Sequence, residues 1–326
     1  MLRNSGQRNA APIATFPHPA PHPATGDGEA AGPERIVVVT VAYASGGVLP
    51  ALARHLAAQS SPPEAWLVVD NSPQSAPLRP EELLGAASGL RLRLISGREG
   101  DGFGAGCNRA LDQLAEEHWP GWVWLLNPDT GLPRGDELAA LGQQLRQLPA
   151  QALVGTAVAD GEGGYESNGG WFGSGLNFRG RRLQPEAILR DQPAAPLALD
   201  WLSGCSLALR PAAHQPVAAR FDECFPLYYE DMDLCRRQAR QGAPVLWLRQ
   251  PVIVHRKGTG SEAPGPRRLQ LSSLSYLRFL RRYSPGWVVA LRSLRLLLLS
   301  LLRLPLRPRC SLAVLQAMLT VLREPA

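Results

Sequence analysis

The sequence predicts an α/β protein with an open, mostly parallel central sheet, followed by a helical segment. Three observations support this prediction. Residues Ile36 to Val41 form an almost wholly apolar, β-branched run, which is typical of a strand buried on both faces of a parallel sheet. Further short apolar runs alternate with stretches in which apolar residues recur at helical spacing, as in an open α/β sheet. Polar clusters at 70–72, 98–108 and 127–129 follow three of the runs, which is where ligands bind in such sheets.

The predicted elements follow one another from residue 35 to about residue 255. A helix over 48–59 is predicted by four apolar residues at helical spacing, Leu49, Leu52, Ala53 and Leu56. The other predicted helices cover 106–117, 136–147 and the stretch from the acidic cluster at 230–233 to about 241. The other predicted strands cover 66–69, 90–95, 122–126, 245–248 and 252–254. Short strands and loops are predicted for the region rich in glycine and aromatic residues at 152–182, and an apolar segment covers 199–209.

Composition adds information on charge and environment. With 326 residues, 45% of them hydrophobic, the chain can bury a substantial core. The formal net charge is +6, yet no acidic residue occurs from Ala263 to Arg323, so the positive charge belongs to this C-terminal segment. The five cysteines form no C-x-x-C pair, and residues 1–33 contain no apolar signal segment. We therefore expect a reducing, cytoplasmic environment.

The same patterns divide the chain into three parts. Residues 1–33 are rich in proline, alanine and histidine, and they predict a disordered tail. We expect one catalytic α/β domain over 34–262. Residues 263–326 predict a basic, amphipathic helical segment.

Three groups of residues could carry chemistry. Asp129 ends the sequence Leu-Leu-Asn-Pro-Asp after a strand, where a carboxylate can hold a divalent cation against a diphosphate. Asp129 could equally open a turn. The cluster Glu230-Asp231-Met232-Asp233 places three carboxylates at a predicted helix start. They could complement the helix dipole, or one could serve as a general base. His255 follows an apolar strand and could be a metal ligand or a structural residue.

The glycine-rich stretch from Gly100 to Gly106 is not a dinucleotide-binding fingerprint. It follows the third predicted strand, and the turn after the first strand has no G-x-G-x-x-G pattern. These glycines instead allow a ligand to approach the backbone closely. The helix that starts beside them, near Cys107-Asn108, offers its N-terminus to that ligand.

Taken in order, these motifs resemble glycosyltransferase family 2, which has the GT-A fold, and in particular its rhamnosyltransferase-like branch. The resemblance covers about residues 35–261. Its motifs are Val-Val-Val-Thr-Val-Ala-Tyr at 37–43, Val-Val-Asp-Asn-Ser at 68–72, Gly-Phe-Gly-Ala-Gly-Cys-Asn at 102–108, Leu-Leu-Asn-Pro-Asp at 125–129, Ser-Gly-Cys-Ser-Leu-Ala-Leu-Arg at 203–210, Phe-Asp-Glu-Cys-Phe-Pro-Leu-Tyr-Tyr-Glu-Asp-Met-Asp-Leu at 221–234, and His255.

The resemblance implies a nucleotide site and a metal site. Asp70 would contact the base of the nucleotide, with further nucleotide contacts from Asn71, Arg98, Asn108 and Asn127. Asp129 stands where the family's metal-binding D-x-D motif ends, and Asn127 replaces the first Asp of that motif. His255 would be a further ligand to the cation, which would be Mg²⁺ or Mn²⁺.

The resemblance also implies an acceptor side and an inverting reaction. Asp231 would be the catalytic base. The acceptor side would be lined by Ser203, Gly204, Glu230 and Asp233. A single in-line displacement would invert the anomeric configuration. The chain has no Q-x-x-R-W motif of processive synthases, which favours transfer of a single sugar.

The helical stretch from Trp287 to Leu306 is rich in leucine. Its longest uncharged run, Leu296 to Leu302, is far shorter than the roughly 20 residues that cross a bilayer. Three arginines fall within one sector of roughly 80° on a helical wheel, Arg292, Arg295 and Arg303. The pattern predicts a helix lying on an anionic membrane surface, here the inner face of the plasma membrane. The alternative is a helix packed on the catalytic domain; the broad leucine face disfavours nucleic acid.

The main functional hypothesis is thus that the protein transfers one sugar, with inversion, from a dTDP- or UDP-sugar. Rhamnose is the sugar that we expect. The acceptor would be a glycan or a polyprenyl-linked sugar in the synthesis of a surface polysaccharide. An alternative within the family uses UDP-galactose, UDP-galactofuranose or UDP-N-acetylglucosamine. A catalytically inactive nucleotide-binding scaffold is disfavoured by the presence together of Asp129, Asp231 and His255. An oxidoreductase would need the fingerprint that the first strand lacks.

Overall fold

A computed structural model describes residues 34–178, 180–191, 195–211, 219–256 and 265–325 of the chain. The tail predicted over 1–33 lies outside the described residues. The strands of the central sheet are β1 (Ile36–Ala42), β2 (Ala65–Asp70), β3 (Leu92–Ser96), β4 (Trp122–Leu126), β5 (Thr130–Gly131), β6 (Leu153–Ala159), β9 (Leu197–Ala198), β11 (Ser206–Leu209) and β12 (Val245–His255). A smaller sheet contains β7 (Gly169–Trp171), β8 (Arg181–Arg182) and β10 (Trp201–Leu202).

The central sheet is mostly parallel, as the sequence predicts. The strands lie in the order β3, β2, β1, β4, β11, β6, β12, β5, and β9 pairs with β12. Only β11, β5 and β9 run antiparallel to their neighbours in the described part of this sheet. The carboxyl ends of β1, β2 and β4 therefore meet at one edge, where polar loops follow each strand.

Helices cover both faces of the sheet. They are α1 (Leu49–Ala57), α2 (Pro80–Ala86), α3 (Phe103–Glu116), α4 (Glu137–Leu145), α5 (Pro185–Asp191) and α6 (Glu230–Ala239). Alternate side chains of β1 point to opposite cores: Val37 and Val39 pack with α3, whereas Ile36 and Val38 pack with α1 and α4. A strand that is buried on both sides in this way needs an unbroken apolar run, which explains the sequence of β1.

Some elements differ from the sequence predictions. The short helix α2 buries only Leu83 fully and shows no helical periodicity, so it was not predicted. Helix α3 begins at Phe103, three residues before the predicted start, because its first turn is built around glycines that conceal helical spacing. The two strands predicted around 245–254 are one strand, β12. A shift of register between Leu248 and Val252 accommodates Pro251, which has no amide hydrogen to pair.

Three more helices follow the α/β part of the chain: α7 (Pro266–Tyr283), α8 (Gly286–Arg303) and α9 (Pro308–Arg323). Helix α7 packs through Phe279, which is fully buried in an aromatic cluster with Phe172, Phe178, Phe225, Tyr229 and Tyr283. These helices therefore pack on the catalytic part of the chain at least through α7. Among the described residues, none of the helices combines the length and the apolar character needed to cross a membrane.

Candidate active site

The pairing of β5 with β12 brings Asp129 and His255 together. His255 is opposite Thr130 in the antiparallel ladder, and the Arg256 amide donates to the Asp129 carbonyl at 2.9 Å. As a result, His255 Nε2 lies 3.1 Å from Asp129 Oδ1, although 126 residues separate the two. The sheet edge thus joins the two predicted metal ligands.

A second carboxylate holds the other side of the imidazole. Glu166 Oε1 lies 3.1 Å from His255 Nδ1, and His255 itself is only 9% exposed. Burial acts to lower the pKa of His255, but hydrogen bonds to Asp129 and Cys205 outweigh burial and raise this pKa to about 11. The ring is held between two carboxylates.

The residues present fit a divalent cation held against a diphosphate. A carboxylate oxygen and an imidazole nitrogen are both ligands for such cations, and they converge here at the sheet edge. Mg²⁺ in particular keeps several positions for water and substrate phosphates, so a pair of protein ligands suits a nucleotide-sugar site. Within the described ranges, no three His, Cys, Asp or Glu side chains converge as a complete metal site.

Glu166 was not predicted from the sequence. It lies in the glycine-rich region after β6, where the Glu166 amide donates to the Val158 carbonyl at 2.8 Å. Its position beside His255 depends on this local turn and on the pairing of β6 with β12. Glu166 and His255 are 89 residues apart in the chain. A carboxylate on the far nitrogen of a metal-binding histidine fixes the tautomer and the direction of the ring.

We expect Glu166→Ala to weaken Mn²⁺ binding about 10- to 100-fold, because the His255 ring loses the partner that orients it. The measurement is calorimetric titration of Mn²⁺ into the protein in the presence of a nucleoside diphosphate. The matched control is Glu162→Ala, which removes an exposed carboxylate from the same loop. Equal Mn²⁺ affinities in the two folded variants would rule out a positioning role for Glu166.

The acidic cluster begins helix α6 after an unusual turn. Tyr228 and Tyr229 both have left-handed backbones, with φ of 64° and 70°, a conformation that is unfavourable for bulky residues. The turn directs the Asp231 carboxylate toward the segment before β11. There Asp231 Oδ2 accepts a hydrogen bond from the Gly204 amide at 3.1 Å, and Oδ1 accepts one from the Met232 amide at 2.8 Å.

The electrostatics of Glu230 and Asp231 favour proton uptake. Burial, together with the neighbouring Asp231 charge, raises the pKa of Glu230 well above its usual value. Burial also raises the pKa of Asp231, although its two amide donors oppose the shift. Asp231 remains partly exposed whereas Glu230 is 6% exposed, so Asp231 is the carboxylate that a substrate hydroxyl can reach. A carboxyl with a raised pKa suits a general base.

Asp233 faces away from this pair. Its carboxylate is fully buried and accepts hydrogen bonds from Arg237 Nε at 2.7 Å, Arg282 Nη1 at 2.8 Å and the Tyr283 hydroxyl at 2.6 Å. Arg282 also donates to Asp222 at 2.7 Å. These contacts tie α6 to α7, and they support a structural role rather than the acceptor-side role expected for Asp233.

The residues expected around the nucleotide lie in different settings. Asp70 ends β2 and accepts hydrogen bonds from the amides of the following loop, whereas Asn71 is buried and donates to the carbonyls of Asp101 and Gly102. Asn127 and the exposed Arg98 follow β4 and β3, at the sheet edge. Their contacts with a nucleotide stay predictions.

The side chain of Asn108 makes contacts of a different kind. Its side chain exchanges hydrogen bonds with the backbone of Phe221 at 2.9 and 3.0 Å and donates to Glu223 at 2.9 Å. The amide group is thus occupied in fixing the segment that leads to α6. This geometry supports a structural role for Asn108, not the nucleotide contact predicted for it.

The segment Ser203–Cys205 connects the candidate base, Asp231, to the two candidate metal ligands, Asp129 and His255. The Ser203 amide donates to the Asn168 carbonyl at 2.9 Å, which fixes the segment, and the Gly204 amide donates to Asp231. On the next residue, a hydrogen bond with the Cys205 thiol contributes to the raised pKa of His255. Gly204 and Cys205, which are adjacent in the chain, therefore contact the candidate base and a candidate metal ligand, respectively.

Comparisons with known proteins bear on the fold and on the class of protein. No protein-family model matches the chain. The N-acetylglucosaminyl-diphospho-decaprenol L-rhamnosyltransferases of two strains of Mycobacterium tuberculosis are each 26% identical to it over 288 residues, which cover 78% of this chain and 87% of the relative. The crystal structure of GalNAc-T7 with UDP, GalNAc and Mn²⁺ is similar with a TM-score of 0.57 and 13% identity over 76% of this chain. The aligned part is 48% of GalNAc-T7, so this chain spans about half its length.

The fold and the comparisons define the class: the chain is a glycosyltransferase with the GT-A fold. The fold prediction made from the sequence is thereby confirmed. Within that class, the relatives confirm the resemblance to the rhamnosyltransferase-like branch of glycosyltransferase family 2.

Proposed function

We propose that the protein transfers a single rhamnose, with inversion, from a nucleoside-diphosphate donor to a lipid-linked diphosphate sugar. The observation that carries this proposal is the Ser203–Cys205 segment, which contacts Asp231 on one side and His255 on the other. The lipid-linked acceptor is supported by the name of the curated relatives, which act on N-acetylglucosaminyl-diphospho-decaprenol. The identity of the donor sugar rests on the same relatives.

In this mechanism Asp231 is the base. Its carboxylate takes the proton from the acceptor hydroxyl as the hydroxyl oxygen attacks the anomeric carbon from the face opposite the nucleoside diphosphate. The bond from that carbon to the diphosphate oxygen breaks, and the nucleoside diphosphate leaves with the electron pair. The amides of Gly204 and Met232 hold Asp231 in place for the transfer. One displacement inverts the configuration.

A divalent cation belongs to the same proposal. Asp129 and His255 would hold it, and it would offset the charge that builds on the leaving diphosphate. Glu166 orients the His255 ring from the other side. Asn127 in place of the first Asp of the D-x-D motif leaves one carboxylate fewer, so the nucleotide diphosphate would have to contribute a larger share of the ligands.

The test is calorimetric titration with dTDP, UDP and NAD, each with and without Mn²⁺. We expect one nucleoside diphosphate to bind in a manner that depends on Mn²⁺, and Asp129→Ala to remove that dependence because it deletes a cation ligand. Asp136→Ala, an exposed aspartate near α4, is the control and should bind as the wild type does. Binding of NAD alone, or of none of the three, would overturn the proposal.

We also propose that the protein works on a membrane surface, which we expect to be the cytoplasmic face of the plasma membrane. Helix α8 exposes a continuous apolar stripe along one face, Trp287, Leu291, Leu294, Leu298, Leu301 and Leu302. Residues four, seven, eleven and fifteen positions after Trp287 share its side of a helix, so the stripe is a single patch. An apolar patch of this kind beside arginines suits insertion among anionic head groups.

A further inference from the structure

Two adjoining cavities lie along α7 and α8. The first has a volume of about 460 Å³ and the second about 590 Å³. Both are lined by Ser273, Leu296 and Leu299, so they form one continuous groove, which we call the α7–α8 groove. No residue with an assigned role in donor binding lines it.

One end of the groove is lined by the two residues that precede the acidic cluster. Tyr228 and Tyr229 line this end, and the chain passes from Tyr229 directly to Glu230 and Asp231. Phe178 and Tyr276 add aromatic rings to the same walls. Aromatic faces commonly pack on sugar-bearing or other amphipathic ligands, because they offer apolar area at low entropic cost. A ligand at this end would lie against Tyr229, two residues before Asp231 in the chain.

The same end carries two arginines and no acid. Arg292 donates to the Leu176 carbonyl, and its Nε is buried with no hydrogen-bond partner among the described residues. Arg295 is exposed, one helical turn further along α8. Neither cavity is lined by a described Asp or Glu. Two guanidinium groups without a nearby carboxylate suit a dianionic or trianionic phosphate group.

The other end combines apolar and cationic walls. Beyond Leu296 and Leu299 the groove continues along Leu306 and Val314, and Arg303, Arg307 and three serines also line it. The exposed leucine stripe of α8 lies about a third of a turn away around the helix, so the groove runs beside the proposed membrane-facing surface. The groove therefore joins an aromatic and cationic end, next to the residues that precede the candidate base, to an end lined by leucines and arginines.

We propose that the α7–α8 groove binds the isoprenoid diphosphate of the acceptor. Arg292 and Arg295 hold the diphosphate, the aromatic rings contact the sugar attached to it, and the leucines contact the first prenyl units. The inference rests on the proposed function, because that function supplies a lipid-linked diphosphate substrate. It adds the place where that substrate binds and the residues that recognise it.

The test uses the full chain and farnesyl diphosphate as the probe, titrated in EDTA so that cation-dependent binding at the donor site is absent. We expect the Arg292→Gln/Arg295→Gln double variant to bind the probe at least about tenfold more weakly, because two charge-assisted contacts are lost. The matched control is Arg309→Gln/Arg323→Gln, which removes two exposed arginines from the same segment outside the groove. This control should bind as the wild type does.

Three results would overturn the inference. The first is failure of the wild type to bind farnesyl diphosphate, and the second is equal weakening of that binding in the two double variants. The third is equal flotation of the protein with two kinds of phosphatidylcholine vesicle at the same surface charge, one carrying farnesyl diphosphate and the other phosphatidylglycerol. The last would indicate general attraction to an anionic surface. The single variant Arg295→Gln leaves the hydrogen bond of Arg292 to Leu176 intact, so it tests the groove even if the double variant unfolds.

Nucleotide titrations of the same variants separate the two proposals. If dTDP or UDP binds and farnesyl diphosphate does not, the groove assignment alone fails. If farnesyl diphosphate binds and no nucleotide does, the proposed transferase function fails while the groove remains a site for isoprenoid diphosphates. We expect both ligands to bind, and the arginine variants to lose affinity for farnesyl diphosphate only.

Discussion

Replacing Asp231 by Asn should lower the rate of sugar transfer about 10²- to 10⁴-fold, the usual contribution of a general base. Asparagine keeps the size of the side chain and an oxygen that can accept from the Gly204 amide, but it cannot take up a proton at neutral pH. Donor binding should stay within about twofold of the wild type, since Asp231 has no predicted contact with the nucleotide. The measurement is single-turnover transfer, with nucleotide affinity determined in parallel.

The same carboxylate predicts the acid side of the pH profile. A base is active when it is unprotonated, so kcat/KM should fall as the pH drops through the pKa of Asp231. Because burial raises that pKa, the fall should come at a higher pH than the usual value for aspartate, about 3.9. A rate that stays constant down to that value, or an Asp231→Asn variant with wild-type transfer, would exclude Asp231 as the base.

Replacing Asp233 by Ala should have the largest effect on stability. The substitution leaves Arg237 and Tyr283 without their buried acceptor and leaves Arg282 with Asp222 as its remaining carboxylate partner. Loss of one partner from a buried ion pair costs about 3–5 kcal/mol; we expect about 2–3 kcal/mol here, because both arginines are partly exposed to water. Equilibrium unfolding in urea measures this loss.

Asp222 supplies the matched control for Asp233. It pairs with the same Arg282, but both side chains are about one-third exposed, so Asp222→Ala should cost no more than about 1 kcal/mol. If Asp233→Ala proved as mild as Asp222→Ala, the network between α6 and α7 would not stabilise the fold. Transfer activity of the folded Asp233→Ala protein also distinguishes a structural role from a place in the acceptor site.

The sequence predicted those parts of the molecule whose causes are local. Strand β1 was recognisable because burial on both faces requires an unbroken apolar run, and Asp129 and Asp231 were recognisable as carboxylates at element boundaries. The contacts of Glu166 and Asp233 could not be predicted from the sequence. Their environments are created by partners 89 and 49 residues away, so nothing in the neighbouring sequence distinguishes an orienting or a structural carboxylate from a solvated one.

The C-terminal segment illustrates the same limit. The sequence showed arginines in one sector and leucines around the rest of the helix, and it left open whether the helix meets lipid or packs on the domain. The structure adds that α7 packs through Phe279, while α8 keeps its leucine stripe exposed. Two arginines of that sector, Arg292 and Arg295, line one end of the α7–α8 groove, and the third, Arg303, lines the other end.

The ion network at Asp233 has a geometric consequence. The carboxylates of Asp231 and Asp233 extend from the same short helix, and Asp233 anchors that helix to Arg282 and Tyr283 at the end of α7. Helix α8 begins three residues after Tyr283, so a short path of packed elements connects the exposed leucine stripe to the candidate base. If α8 rests on a bilayer as proposed, this connection would fix the height of Asp231 above the lipid surface, and acceptors would be selected by whether their hydroxyl reaches that height.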